Sequence, residues 1–407
     1  MPGVQMRSHQ RQVGNTRAAA ALIENCEREA LALLRENLSP EGILAAGRAP
    51  VARERNYESV FARDASICAL AMALSGDRVL ERGAAASLAS LASRQAANGQ
   101  IPNYVDGAAR GDFWYVGCID ASLWWLIALE WLQRRGVRGL RGLGTHARRA
   151  LHWLRCQEHP GIALLAQNEA SDWADIMPRS GFVLYSNALW YRVKRLYGLP
   201  GAELTRRHFE QLFHPTQRDR PEHRRLRLLA EEAQRRRRHA DLYLSYVNLG
   251  ARGEEGDVFG NILAALMGLA GGARRAAVLR AIARAQGGAP YPVRAVCEPI
   301  PRNDARWRSY MGRHRQNLEH QYHNSGVWPM IGGFWVAALA AAGMRQRAQE
   351  DLVGLARANA VNGWEFNEWF HGLSGKPRGM PRQSWNAAAF LLARRSLEGK
   401  LFDGASG

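Results

Sequence analysis

The side chains best suited to chemistry are concentrated between residues 361 and 385. In this loop Trp364, Trp369 and Trp385 accompany the carboxylates of Glu365 and Glu368, and no helical or strand period runs through it. Indole rings offer flat apolar faces for the C–H faces of sugars, while carboxylates and amides bond the hydroxyl rims. The composition therefore favours a saccharide site, with a surface loop held by its tryptophans as the structural alternative. Further polar candidates in the loop are Asn367, His371 and Gln383.

A second acidic stretch runs from residue 168 to residue 175. Asp172 and Asp175 flank Trp173 there, and the nearest cation along the chain is Arg179. Carboxyl groups beside apolar surface and without a compensating charge have raised pKa values, as a general acid working near neutral pH requires. The alternative is a solvated acidic turn.

Other candidate residues stand at the starts of predicted helices. Asp64 follows Arg63, and Asp120 precedes Trp124 in an apolar run. Either aspartate could bond a sugar hydroxyl or simply cap its helix, and Trp124 could equally belong to the core. His323 is not expected to bind a metal ion, because no second ligand lies at metal-site spacing.

The composition indicates a water-soluble protein of the reducing cytoplasm. Of the residues, 47% are hydrophobic, yet no apolar run reaches the roughly 18 residues of a membrane span. Residues 1–16 are polar and basic and lack the apolar centre of a signal peptide. The cysteines are odd in number and form no C-x-x-C pair, so we expect free thiols. They are Cys26, Cys68, Cys118, Cys156 and Cys297.

Arginine supplies nearly all of the basic side chains behind the formal net charge of +18. It is concentrated in residues 206–238, which end in the run 235–238. Such a segment could bind anions or nucleic acid, or it could be a solvated helix face partly balanced by glutamates. We favour the helix face and expect no nucleic-acid partner, because no aromatic stacking residues are interleaved with the arginines.

Apolar residues recur at helical spacing in twelve segments, which predicts an all-α fold. Alternation typical of strands is limited to short pieces such as residues 240–248. Residues of N-cap type are Asp64, Asp77, Asp120, Thr145 and Ser186. The predicted helices are 16–37, 64–74, 77–97, 120–134, 145–158, 186–197, 202–213 with a basic extension to about 238, 257–269, 272–286, 328–342, 344–359 and 386–397.

The connections between these helices alternate between short and long. Short glycine-containing turns are typical of αα-hairpins, so packing the hairpins side by side places the long loops together at one end. That end is the expected functional face. Without a linker in the sequence, we expect one domain over residues 1–407, with a flexible tail at 1–16 and a basic insertion at 205–240.

Several motifs in a fixed order resemble the neutral/alkaline invertase family and the related amylo-α-1,6-glucosidase domain of glycogen-debranching enzymes. The resemblance extends over about residues 57–393. Its motifs are Tyr57-x-x-Val60-Phe61-x-Arg63-Asp64, Asp120-x-x-Leu123-Trp124-Trp125, Pro178-Arg179-x-Gly181, Tyr322-His323-Asn324-x-Gly326-x-Trp328-Pro329, and Glu368-x-x-x-Gly372-x-x-Gly375 followed by Gln383-Ser384-Trp385.

The resemblance implies an (α/α)6 toroid of six helical hairpins and an inverting glycoside hydrolase that needs no cofactor and no metal. Asp175 then corresponds to the general acid and Glu368 to the general base, with Asp172 and Glu365 as reserve candidates. The substrate-binding residues implied by the motifs and loops are Tyr57, Arg63, Asp64, Asn103, Asp120, Trp124, Trp173, Arg179, His323, Asn324, Trp328, Trp364, His371, Gln383 and Trp385.

Two functions remain open at this point. The first is cleavage of an α-glucosidic bond in a sucrose-like disaccharide or a short α-1,6-linked glucan. The second is non-catalytic carbohydrate sensing or anion binding on the same fold. Both functions imply a small saccharide or anion as the partner and no association with a membrane. Either function is compatible with a homo-oligomer. His371 stands where the resembled families commonly carry Asp, which bears on substrate choice more than on reaction type.

Overall fold

The computed structural model describes residues 2–114, 117–214, 222–235 and 239–399, and these are mainly helical. A 3₁₀ helix spans Ser309–Arg315. The α-helices of the described residues are α1 (Pro2–Glu36), α2 (Pro50–Glu54), α3 (Ala62–Met72), α4 (Arg78–Ser93), α5 (Ile119–Arg134), α6 (Leu143–Gln157), α7 (Leu184–Leu196), α8 (Ala202–Phe213), α9 (Arg224–Arg235), α10 (Val258–Leu266), α11 (Gly272–Ala285), α12 (Pro329–Ala341), α13 (Arg345–Trp364) and α14 (Ser384–Leu397).

Six of these helices form a closed inner ring. In ring order they are α3, α5, α7, α10, α12 and α14, each packs against the next, and α14 packs back against α3. Helices α1, α4, α6, α8, α11 and α13 lie outside this ring, each against an inner helix. The arrangement confirms the predicted (α/α)6 toroid.

The inner helices are more completely buried than the outer ones. Every residue of α10 is buried, and so is every residue of α12 from Pro329 to Leu339. A helix that is hydrophobic on all sides must be covered on all sides. The outer helices, by contrast, keep a polar face toward solvent; α6, for example, buries only Leu143, Ala147, Ala150 and Leu154. Among the described residues, no helix is both long and apolar enough to cross a lipid bilayer.

The connections alternate in length as the sequence predicts. Helix α3 is joined to α4, α7 to α8 and α12 to α13 by turns of a few residues, whereas long loops lead from each outer helix to the next inner one. All six inner helices therefore begin at the same face of the ring. The long loops gather there, so this face holds most of the chain's irregular structure.

Short antiparallel strands stiffen the long loops. They are β1 (Leu38–Ser39), β2 (Gly42–Ile43), β3 (Val60–Phe61), β4 (Tyr104–Val105), β5 (Gly111–Asp112), β6 (Ala166–Gln167), β7 (Gly181–Val183), β8 (Tyr246–Asn248), β9 (Ala251–Arg252), β10 (Trp369–Phe370) and β11 (Pro377–Arg378). The sheets pair β1 with β2, β3–β4–β5 in order, β6–β7–β8–β9 in order, and β10 with β11. In the three-stranded sheet Phe61 is opposite Tyr104, and Tyr104 is opposite Asp112.

The helix predictions hold, with differences at the ends. Helix α1 begins at Pro2 rather than at residue 16, and the basic extension of α8 is a separate helix, α9. Residues 236–238 of the predicted arginine run lie outside the described residues. The small helix α2 and the 3₁₀ helix were not predicted.

Of the five predicted N-caps, Asp77 alone is confirmed, because its side chain accepts hydrogen bonds from the backbone N–H groups of Val79 and Leu80. The other four predictions were wrong. Strands β3 and β7 lead directly into α3 and α7, so their last residues take the cap positions. Asp64 and Asp120 instead lie in the first helical turn with their side chains buried. The observed cap positions are Phe61, Cys118, Gly142 and Val183.

The cysteine prediction is also confirmed, since all five thiols are free. Four of them are buried, and only Cys156 is exposed.

Packing between α12 and α14 yields a stability prediction. A Cβ atom added at Gly333 would lie 2.3 Å from the backbone oxygen of Ala389, so the two helices cannot keep their spacing with any larger residue. We expect Gly333→Ala to lower the free energy of unfolding by about 1–3 kcal/mol, the usual cost of overpacking a core. Urea denaturation followed by circular dichroism measures the change.

The matched control is Gly354→Ala in α13, where the added atom would meet Pro292 at an ordinary contact distance of 3.4 Å. Alanine's better helix propensity should make this variant neutral or slightly more stable. Equal effects at the two glycines would contradict the close packing of α12 on α14.

Candidate functional site

A cavity of about 300 Å³ opens at the face where the inner helices begin. This volume lies at the lower end of the range for small-molecule sites. The walls come from the loops before α3, α5, α7, α12 and α14, so chain segments far apart in sequence meet here. Twelve residues selected from the sequence line it: Tyr57, Arg63, Asp64, Asn103, Asp172, Trp173, Asp175, His323, Trp328, Glu368, Gln383 and Trp385.

Glu368 is buried in the wall of this cavity, with both carboxylate oxygens engaged. Its Oε1 accepts a hydrogen bond from the Tyr57 hydroxyl at 2.7 Å, and its Oε2 accepts one from the Met380 backbone N–H at 2.8 Å. Burial raises the pKa of Glu368 to about 7, while these two donors lower it. The carboxylate is thus held in one orientation and titrates near neutral pH.

The β10–β11 hairpin fixes the position of Glu368. Trp369 pairs with Arg378 across it, and the adjoining Gly379 has a φ of +75°. A Cβ atom at position 379 would lie 2.3 Å from Glu368 Oε2. Glycine is required here both for its backbone conformation and for the close approach of the carboxylate.

Asp175 is less confined. Its side chain lines the same cavity and remains 45% exposed, because it faces the open space rather than the core. Desolvation within the cavity nevertheless raises the pKa of Asp175 to about 6; the nearby Arg63 lowers it, and Asp172 and Asp120 raise it. The imidazole of His323 approaches Asp175 with 3.9 Å between Nδ1 and Oδ1, too far for a direct hydrogen bond.

The two reserve carboxylates are placed differently. Asp172 lines the cavity, but its oxygens accept hydrogen bonds from the Ala174 backbone N–H at 2.8 Å and the Gln167 amide at 2.9 Å. It therefore shapes the loop that carries Asp175. Glu365 does not line the cavity and accepts a hydrogen bond from the exposed Asn362 amide at 2.7 Å.

Aromatic rings form much of the cavity wall. His323 stacks on Trp328 with ring centres 5.1 Å apart, and Trp173 meets both rings edge-on. Trp385 also packs edge-on against Trp328, with ring centres 5.8 Å apart. Burial, with the charges of Arg179 and Arg63, lowers the pKa of His323 well below its usual value, so the ring is neutral. The wall offers apolar faces beside two carboxyl groups.

Polar atoms in this wall retain unused hydrogen-bonding capacity. Within the described part of the chain, the indole N–H groups of Trp173 and Trp385 and the side-chain amide of Gln383 have no protein partner. Buried polar groups are normally hydrogen-bonded. Their position on a cavity wall therefore suits a ligand rich in hydroxyl groups.

Arg63 is held by a buried network behind the cavity. Its guanidinium donates to Asp120 Oδ2 at 3.1 Å, the Tyr185 hydroxyl donates to the same oxygen, and the Trp124 indole donates to that hydroxyl. Asp120 and Trp124 are fully buried and do not line the cavity. The structure thus places these two expected substrate-binding residues behind the cavity wall, where they position Arg63.

Four further sequence candidates lie away from the cavity. Arg179 is buried 3.2 Å from Asp257, and Asn324 bonds the backbone of Ile300 in both directions. Trp364 lies at the end of α13, and His371 accepts backbone hydrogen bonds within its own hairpin. None of the four is among the residues that line the cavity.

Sequence reasoning missed part of the cavity wall. Tyr104 and Asp112 belong to the three-stranded sheet at its rim, and Trp114 follows with its backbone N–H bonded to Asp112 Oδ1 at 2.8 Å. Tyr322 also lines the cavity; its place in the Tyr322-His323-Asn324 motif was the one signal for it. The strands β4 and β5 are too short to show an alternation of apolar and polar residues in the sequence.

The donor from Tyr57 yields a prediction about Glu368. Because the hydrogen bond from the Tyr57 hydroxyl favours the ionised carboxylate, we expect Tyr57→Phe to raise the pKa of Glu368 further. A carbon-13 NMR titration of the glutamate carboxyl resonances measures it. Tyr104→Phe is the control, since Tyr104 lines the same cavity without bonding Glu368. An unchanged or lowered pKa of Glu368 in Tyr57→Phe would contradict the hydrogen bond between these two residues.

The chain is similar to known invertases over part of its length. Residues 257–399, which include Glu368, match the family model of alkaline and neutral invertase. A probable alkaline/neutral invertase D of Arabidopsis thaliana is 32% identical over 107 residues, which are 25% of this chain and 19% of that protein. Cytosolic invertase 1 of Oryza sativa subsp. japonica is 30% identical over 106 residues, which are 25% of this chain and 18% of that protein. The match thus spans under a fifth of either relative.

Solved structures extend the likeness to nearly the whole fold. A GH63 mannosylglycerate hydrolase from Thermus thermophilus, crystallised with Tris and D-glycerate, superposes with a TM-score of 0.61 at 16% identity. The superposition covers 90% of this chain and 99% of that one. The chain therefore shares the (α/α)6 fold of that hydrolase, and its residues 257–399 are similar to the alkaline and neutral invertases.

Proposed function

We propose that this protein is an inverting O-glycoside hydrolase that cleaves an α-glucosidic bond in a small saccharide. The observation that carries the proposal is the pair Asp175 and Glu368, which come from different loops and line one cavity with tryptophan walls. Both carboxyl groups have raised pKa values. Two carboxyl groups facing one sugar site are the usual machinery of glycoside hydrolysis.

Asp175 is the general acid in this proposal, and Glu368 is the general base. The two donors on Glu368 favour its ionised form, which can draw a proton from water. The described residues give Asp175 no such pair of donors, and it protonates the departing oxygen. Burial raises the pKa of both carboxyl groups, to about 6 for Asp175 and to about 7 for Glu368.

The two carboxyl groups influence each other's titration. The charge of Asp175 raises the pKa of Glu368, and such coupling between two titrating groups is reciprocal. Between the two titration steps the pair carries one proton. The reactive form places that proton on Asp175 and the charge on Glu368, where the hydrogen-bond donors stabilise it.

The substrate we propose is sucrose-like or a short α-1,6-linked glucan. The match to alkaline and neutral invertases supports a sucrose-like sugar, and the cavity volume supports a small one. A cytoplasmic location is proposed with it, supported by the name of the rice relative, a cytosolic invertase. The presence of both carboxyl groups in one cavity argues against a non-catalytic sensor.

Substrates with different leaving groups test the two roles. Asp175→Asn should lower kcat/KM about 10²- to 10⁴-fold on sucrose or isomaltose, the usual contribution of acid–base catalysis. The kcat/KM of the same variant should fall much less on 2,4-dinitrophenyl α-glucoside, because this leaving group needs no proton. Glu368→Gln should lose activity on all of these substrates, because each requires activated water. Reducing-sugar and dinitrophenolate release measure the rates.

Asp172→Asn and Glu365→Gln are the matched controls. Glu365→Gln should stay near wild type, since Glu365 does not line the cavity. The kcat/KM of Asp172→Asn should fall equally on substrates with good and with poor leaving groups, because the substitution disturbs the loop rather than the proton transfer. Retained turnover in Glu368→Gln would overturn the assignment of the base.

The anomer released first tests the mechanism. In a single displacement, water attacks from the face opposite the leaving group, so an α-glucoside must yield β-glucose. Proton NMR during the first minutes of hydrolysis, before mutarotation, identifies the anomer. Initial α-glucose would rule out inversion and would require a covalent glycosyl-enzyme intermediate.

A further inference from the structure

A second cavity, of about 530 Å³, adjoins the first beside Glu368. Arg55, Tyr57, Tyr322 and Glu368 line both cavities, so they form the boundary between the two. Asp175 does not line the second cavity. Its remaining walls are His314, Gln316, Trp369, Arg378 and Gly379.

The charge of this second cavity is opposite to that of the first. Asp64, Asp112, Asp172, Asp175 and Glu368 line the first, whereas among the described residues lining the second Glu368 is the one acid. Arg55, Arg378 and His314 supply donors there. In the first cavity these five carboxyl groups outnumber the guanidinium groups of Arg55 and Arg63, so the lining of the second cavity suits an oxyanion better.

The arginines of the second cavity also differ from other arginines in the same loops. Arg53 pairs with Glu58 at 3.3 Å, and Arg382 pairs with Glu36. Within the described residues the structure gives Arg55 and Arg378 no ion pair. The backbone of Arg378 is fixed by its pairing with Trp369 across the β10–β11 hairpin. Two exposed guanidinium groups thus stand beside a cavity without an ion pair to the described residues.

We propose that the second cavity binds a small oxyanion, a carboxylate or a phosphate, through Arg55 and Arg378. Guanidinium groups bind such anions through paired, charge-assisted hydrogen bonds. The anion is either part of the saccharide substrate or a free ion; the substrate-borne form rests on the proposed glycosidase function. In that form the enzyme prefers glycosides that carry an acidic group.

A binding measurement tests the site without relying on activity. Inorganic phosphate titrated into the intact protein by calorimetry should bind at one site, and Arg378→Gln should weaken that binding at least about tenfold. Arg357→Gln is the matched control, an exposed arginine on α13 that lines neither cavity. His314→Gln provides a second variant should the first lose its fold, as judged by thermal unfolding.

A kinetic measurement distinguishes the source of the anion. The ratio of kcat/KM for glucosylglycerate to that for the neutral glucosylglycerol should favour the acidic substrate in the wild type. Arg378→Gln should lower this ratio at least about tenfold, and Arg357→Gln should leave it unchanged. Phosphate binding without a substrate preference identifies a free ion, and the preference without phosphate binding identifies a substrate-borne group.

The proposal is overturned if Arg378→Gln changes neither phosphate binding nor the substrate ratio. That result would leave the glycosidase function intact, because neutral glucosides would still be hydrolysed. Failure to hydrolyse any glucoside would instead contradict the glycosidase function, and the calorimetric experiment would still decide whether the oxyanion site exists.

Discussion

Closure of the inner ring is the constraint on which the other features depend. Helices α10 and α12 have no polar side, so they are stable only when neighbours cover them all round. A closed ring of six helices gives each of them two neighbours in the ring. Five of the inner helices are followed by a short turn to an outer helix, and a long loop precedes all six, so the inner helices begin at one face. The loops that carry Asp175 and Glu368 therefore meet at one cavity.

Within this frame, the electrostatics of the site follow from where water is excluded. Asp120 is fully buried and is compensated by Arg63, whose guanidinium it holds in place. Glu368 forms no ion pair with the described residues; its compensation comes from the Tyr57 hydroxyl and the Met380 N–H. Dipoles compensate a buried charge less completely than a cation does. Because dipoles rather than a cation compensate its charge, Glu368 has a pKa near neutrality, in the range in which a base is useful.

Hydrophobic period and loop length predicted the helices and the face where the long loops gather, because both are local properties of the chain. They could not predict which side of an inner helix faces the cavity. Asp64 and Asp120 occupy similar places in α3 and α5, yet the first lines the cavity and the second lies behind it. The difference depends on the packing of neighbouring helices. Tyr104 and Asp112 were missed for a related reason, since two-residue strands form only in the folded loop.

The seam between α3 and α14 also has a consequence for synthesis on the ribosome. Helix α14 packs against α3, and Asn37, directly after α1, donates to the Ser384 hydroxyl at 2.8 Å across 347 positions of sequence. At about 5–20 residues per second, roughly 15–60 s separate the emergence of these two helices. For that time the nascent chain holds an incomplete ring with an uncovered apolar edge. Binding by chaperones during translation would protect this edge until the last inner helix arrives.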